Sequence, residues 1–113
     1  MNTPPKILAL AYLNCLFKTG DLFQLEKFLA PNLDFQGPFY RFKSSEDYLQ
    51  ALREDPPVSF SYELIKSIEE ATYVCLIYRF TKPGVSTLMT QWFEMENDKI
   101  KKITLVFDTA AFQ

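Results

Sequence analysis

Any chemistry in this chain must be done without histidine, which is absent from its 113 residues. That removes the commonest general base, the Ser–His and Cys–His nucleophile pairs and most zinc chemistry. Acid–base work falls to Asp, Glu, Tyr or Lys. Asp108 closes the apolar run "ITLVFD" and is the candidate base. Tyr12 lies in an almost wholly apolar stretch, where its hydroxyl needs a partner. Gln91 falls by its spacing on the apolar face of Met89, Phe93 and Met95, and a buried amide must be hydrogen-bonded. An enzyme built from these residues would use Asp108 as base with Tyr12 or Gln91 as donor. Alternation from Ile103, Leu105 and Phe107 turns Asp108 to the other face, so it reaches a pocket only through a bulge and otherwise caps the "TAAF" tail.

The stretch "NLDFQGPFYRF" sets a carboxylate, Asp34, and the four rings Phe35, Phe39, Tyr40 and Phe42 around Gly37-Pro38. Asp34 reads as solvated and the rings as wall rather than catalyst. The chain carries eleven Phe and six Tyr, more ring than a domain of this length needs to close its core. The surplus is available to line an apolar cavity or an association face.

Other classes are disfavoured by composition. Net charge is −2 and no basic stripe is present, so nucleic acid is not an expected partner. Cys15 and Cys75 sit far apart in apolar runs and read as small buried hydrophobes, with no metal or cofactor expected. Lys6 followed by "ILALAYLNCLF" has the order of a leader peptide, but Asn14 stands where a small residue should precede Cys15, and a buried helix explains the run. No run is long enough to span a membrane, and a cytoplasmic location is expected.

The elements that must position these residues follow from periodicity. Residues 1–113 form one domain. A helix from Pro4-Pro5 to about Lys18, capped by Gly20, is apolar nearly all round and must be covered on most sides. A curved sheet wrapped around it is the cover expected in so short a chain. Asp21 with Gln24 starts a second helix that Pro31 ends, and Ser44 with Asp47 starts a third. From Val58 the period becomes two, giving an antiparallel meander of four long strands and an α+β fold. Its inner face carries Met89, Gln91, Phe93, Leu105 and Phe107. Its outer face carries Cys75, Ile77, Thr90, Trp92, Thr104 and Val106, an apolar centre suited to a homodimer, with Cys75, Ile77, Trp92 and Val106 at its interface.

"YLNCLFKTGDLFQLEKFLAPNLDFQGP", a short helix and long strands ending "WFEMENDKIKKITLVFD" together resemble the NTF2-like superfamily, and within it the SnoaL-like and ketosteroid-isomerase-like branch. The resemblance covers almost the whole chain. It implies a cystatin-like α+β cone, a strongly bent antiparallel sheet around the long first helix with two short helices, an apolar interior pocket and frequent dimers. The expected pocket is Tyr12, Phe35, Tyr40, Met89, Gln91, Phe93, Leu105 and Phe107. The branch's catalysts carry over incompletely. The resemblance puts the isomerase base just before Pro38, where this chain has Gly37. It puts the isomerase Tyr at or beside Leu13, one residue from Tyr12, and the protonated Asp near Gln91. The late carboxylate of SnoaL-like cyclases maps to Asp108, without an accompanying His. The Asp-Arg-Asp set of limonene-epoxide-hydrolase-like members finds no place among Arg41, Arg53 and Arg79. The expected function is therefore a protein binding a small apolar ligand without a complete catalytic set. A cyclase- or isomerase-like enzyme is the alternative, and an association module using the sheet face a further one.

Overall fold

A computed structural model describes residues 3–112. Helix α1 (Pro5–Asn14) runs on into a single π-turn, Cys15–Thr19, and ends at Gly20 with φ +67°. A residue without a Cβ adopts that left-handed angle at no steric cost. The π-turn was not legible in the periodicity, and it aims Phe17 at Phe60, Tyr62, Tyr78 and Phe80. Helix α2 (Leu22–Lys27) is capped by Asp21, whose Oδ1 accepts from the Gln24 amide at 3.1 Å. Helix α3 (Ser45–Glu54) is capped by Ser44, whose Oγ accepts from the Asp47 amide at 3.1 Å.

Pro31 does not end a helix. The chain leaves α2 at Lys27 and enters strand β1 (Leu29–Gln36), which runs parallel to the last strand and pairs Leu29 with Ile100 and Asp34 with Lys102. The register slips between Leu29 and Asp34, the interval that holds Pro31, as expected for a residue that cannot donate to a ladder. Strand β2 (Arg41–Phe42) folds back on β1. The meander follows as β3 (Ser61–Glu70), β4 (Tyr73–Lys82), β5 (Val85–Glu96) and β6 (Lys99–Phe107). Val58 and Phe60, expected inside the first of these, precede it, and Ser59 turns the chain there with φ +61°.

The sheet order is β2-β1-β6-β5-β4-β3, antiparallel except for the β1–β6 pair, so the sheet is mixed rather than wholly antiparallel. Helix α1 touches β3, β4, β5 and β6, and a sheet reaches one helix from four strands only by curving around it. The core lies between them. Leu8, Ala9, Tyr12, Leu13 and Leu16 meet Val74, Leu76, Tyr78, Phe93, Ile100 and Ile103, and only Ile7 among the large residues of α1 is exposed. The architecture is the expected α+β cone. Among the described residues no helix is long and apolar enough to cross a membrane.

Candidate functional site

The inner face carries one buried polar side chain, Gln91, and the sequence around it explains its burial. In β5 every second residue, Met89, Gln91, Phe93 and Met95, faces α1, so the amide cannot reach solvent. Tyr78 on β4 lies diagonally opposite and donates its hydroxyl to Gln91 Oε1 at 2.7 Å. The Tyr12 hydroxyl lies near the same amide and is hydrogen-bonded to the hydroxyl of Tyr48 from α3. Tyr48, Tyr12, Gln91 and Tyr78 thus form one buried network with no carboxylate in it. Burial pushes all three phenols above their ordinary range. For Tyr12 the nearby Tyr48 adds to the rise and Gln91 offsets part of it.

The network corrects several expectations. Tyr12, Phe35, Met89, Gln91 and Phe93 are closed core rather than cavity wall, packed against one another and α1. Phe35 stacks on Tyr48 at 4.9 Å between ring centres. Tyr40 is 63% exposed, on the outside of the β1–β2 connection, because Gly37 donates to its carbonyl at 2.9 Å and closes a tight turn there. Asp108 does not face the interior. It is exposed, and its Oδ1 accepts from the Ala110 amide at 3.0 Å, capping the 3-10 turn Thr109–Phe112. Strict alternation along β6 holds from Lys102 onward, and no bulge there turns the carboxylate inward. The β5–β6 bulge lies earlier, at Lys101, whose ammonium binds Glu96 at 3.0 Å and Glu94 at 3.4 Å. Asp34 pairs with Arg41 at 3.4 Å. At Gly37 an added Cβ would lie 3.3 Å from the Phe35 ring and 3.8 Å from Leu105, so the wall closes over the place where a carboxylate would stand.

Sequence reasoning gave no site role to Tyr48, Tyr78, Phe60, Phe80 or Phe112. Alternation in β4 places Tyr78 on the inner face beside Gln91, and that signal was readable. Tyr48 needed the packing of α3. At the end formed by the β4–β5 hairpin, Phe60 meets Phe80 at 5.1 Å, and Phe107 meets Phe39 at 5.5 Å and Phe112 at 4.9 Å. Leu105 and Phe107 are half-buried towards this end.

The outer face carries the residues that alternation assigns to it. Trp92 is 50% exposed and Val106 58%, and Cys75 and Ile77 are half-buried on the neighbouring β4. Cross-strand register puts Cys75, Trp92 and Thr104 in one row and Ile77, Thr90 and Val106 in the next. A cleft of about 210 Å3 runs over this face between Tyr73, Trp92, Glu94, Lys102 and Thr104. A wider one of about 380 Å3 lies between α2, β1 and the start of α3, lined by Phe23, Lys27, Pro31 and Lys99. Neither enters the space between α1 and the sheet. Among the described residues no group of three or more His, Cys, Asp or Glu side chains could hold a metal ion.

No protein-family model matches the chain, and no curated protein does. Solved structures do. An NTF2-like protein of unknown function from Cytophaga hutchinsonii superposes with a TM-score of 0.84 at 26% identity, over 99% of this chain and 96% of that one. A cystatin-like-fold protein of unknown function from Xanthomonas campestris gives 0.78 at 18% identity, over 99% and 95%. An LEH-like epoxide hydrolase from M. tuberculosis gives 0.82 at 18% identity, over 95% and 84%. These likenesses extend over the helices and the whole curved sheet, and the chain has the NTF2-like fold.

Proposed function

We propose that this chain is a non-catalytic NTF2-like protein that binds a small apolar ligand at the aromatic end of its cone. The observation that carries this reading is the content of the buried network. Tyr12 pairs with Tyr48 and Tyr78 with Gln91, with no carboxylate, imidazole or ammonium among them to move a proton near neutral pH. The rings left half-buried at the hairpin end supply the apolar wall that a ligand needs. The enzyme alternative loses its base, since the Asp108 carboxylate is occupied in a surface cap.

The Trp92 face favours a second, compatible role, self-association. Charges of both signs border its apolar centre at each end, Glu70, Glu94, Lys102 and Asp34 at one and Lys66, Arg79 and Glu63 at the other. Two copies related by a two-fold axis running across the strands set these ends against each other. Both cysteines are unpaired thiols, which suits a reducing, cytoplasmic setting.

Calorimetric titration with naphthamide, a neutral aromatic amide, tests the binding reading. Saturable binding at one molecule per chain is expected, and Asp108→Ala is expected to retain it. Absence of saturable binding by any aromatic probe would overturn it, and an Asp108→Ala variant that loses binding would return that carboxylate to the site.

A further inference from the structure

Six phenylalanines form a continuous row across the β4–β5 hairpin end of the cone. Phe17 lies 6.2 Å from Phe60, Phe60 5.1 Å from Phe80, and Phe80 6.1 Å from Phe112. Phe112 lies 4.9 Å from Phe107, and Phe107 5.5 Å from Phe39. Five of these rings are fixed by their backbone surroundings, on the π-turn, on β4 and β6, at the entry to β3 and in the β1–β2 turn. Phe112 differs. It is carried by the short 3-10 turn Thr109–Phe112, whose start is tied to Asp108 by Ala110, which donates to the side chain, and by Ala111, which donates to the carbonyl. The turn belongs to no strand ladder; it packs against β5 and, through the Phe112 ring, against Phe39, Phe80 and Phe107.

That ring occupies a shaped place. Phe80 stacks on it at 28° between planes, Phe107 leans on it at 55° and Phe39 meets it edge-on at 83°. The Lys82 ammonium stands over its face, 5.2 Å from the centroid, and 5.5 Å from the centroid of Phe60. Lys82 has no carboxylate within ion-pair distance among the described residues, so two ring faces are its partners there. A guest ring carrying an anionic group would keep the stacking and give the ammonium a full counter-charge, which Phe112 does not.

We propose that Phe112 is a resident plug of the ligand site. The cage of Phe39, Phe80 and Phe107 accepts the ring of a planar aromatic acid, its anionic group beside Lys82, when the turn Thr109–Phe112 swings out. This rests on the reading that the aromatic end binds a small apolar ligand, and it adds the ligand's class and the device that guards the site. A closed plug lowers apparent affinity by the fraction of molecules in which the cage is vacant, so removing the ring tightens binding without any new contact.

The test compares naphthoate with its neutral amide, naphthamide, on the whole chain. Phe112→Ala is expected to tighten naphthoate about tenfold, by removing the competing ring. Lys82→Gln is expected to weaken naphthoate about fivefold and leave naphthamide unchanged, as for one exposed ion pair. In the wild-type protein, saturating naphthoate is expected to speed amide hydrogen exchange at Ala110 and Ala111 as the turn leaves the cage. That measurement decides the matter if Phe112→Ala fails to fold. Equal naphthoate affinity in wild type and Phe112→Ala, or unchanged exchange at Ala110 and Ala111, overturns the plug while leaving the binding reading in place. Equal loss of both probes in Lys82→Gln overturns the anion assignment. Failure of both probes to bind either protein overturns this proposal and the binding reading together.

Discussion

The Tyr78 hydroxyl reaches Gln91 Oε1 at 2.7 Å, diagonally across β4 and β5, and so fixes which way round the Gln91 amide sits. Tyr78→Phe strands a buried acceptor and is expected to cost about 1–3 kcal/mol of stability. Gln91→Leu strands Tyr78 and disturbs Tyr12, and is expected to cost more. The double variant should cost less than the sum, because each change removes what the other leaves unpaired. Urea unfolding of the three variants measures this, and strict additivity would show that the two residues are not coupled.

Alkaline pH should unfold the protein through the same network. Burial holds the Tyr12, Tyr48 and Tyr78 hydroxyls protonated above the pH at which an unfolded chain releases them. The folded state then binds more protons than the unfolded one. The stability these groups contribute is complete below about pH 10 and falls as pH rises beyond it. Phenolate absorbance followed beside circular dichroism should show these three ionising only as the fold is lost. A reversible rise of their absorbance in the folded protein would contradict the burial of the network.

On the outer face, Trp92→Glu should convert a dimer to monomer on sizing chromatography with the fold intact. A buried charge at the centre of an apolar contact has no partner there. An unchanged elution volume would move the interface elsewhere.

Ala71 takes φ +51° in the β3–β4 turn, a left-handed angle that a methyl-bearing residue adopts only under strain. Ala71→Gly is expected to raise stability by about 0.5–1 kcal/mol in the same urea assay, net of the added freedom of the unfolded chain. The Asn97-Asp98 turn, at φ +52° and +60°, uses residue types that tolerate this region, so Asn97→Gly should gain less.

Much of this architecture was legible because its signals are local. Gly20-Asp21 and Ser44 mark helix boundaries through hydrogen bonds spanning three residues. Alternation in β4, β5 and β6 separated the Gln91 face from the Trp92 face without knowledge of the partners. What could not be read depends on distant neighbours. β1 is a strand because β6 lies beside it, which no feature around Pro31 announces. Tyr12 and Gln91 were recognised as needing partners, but the partners come from α3 and the neighbouring strand. Alternation along β6 already turned Asp108 away from the interior and towards the "TAAF" turn that it caps. Tyr40 shares its composition with the wall residues and differs from them only in the direction in which the Gly37 turn points it.

The parallel seam between β1 and β6 bears on how the molecule is assembled. β3, β4 and β5 join through hairpins and can find one another from nearby contacts. Leu29 must wait for Ile100, near the other end of the chain, and closing so long a loop is slow compared with forming a hairpin. Until β6 is made, the β1 backbone edge that pairs with it stays open, an unpaired edge in search of any strand. The last strand to be made completes the sheet and takes that edge out of circulation.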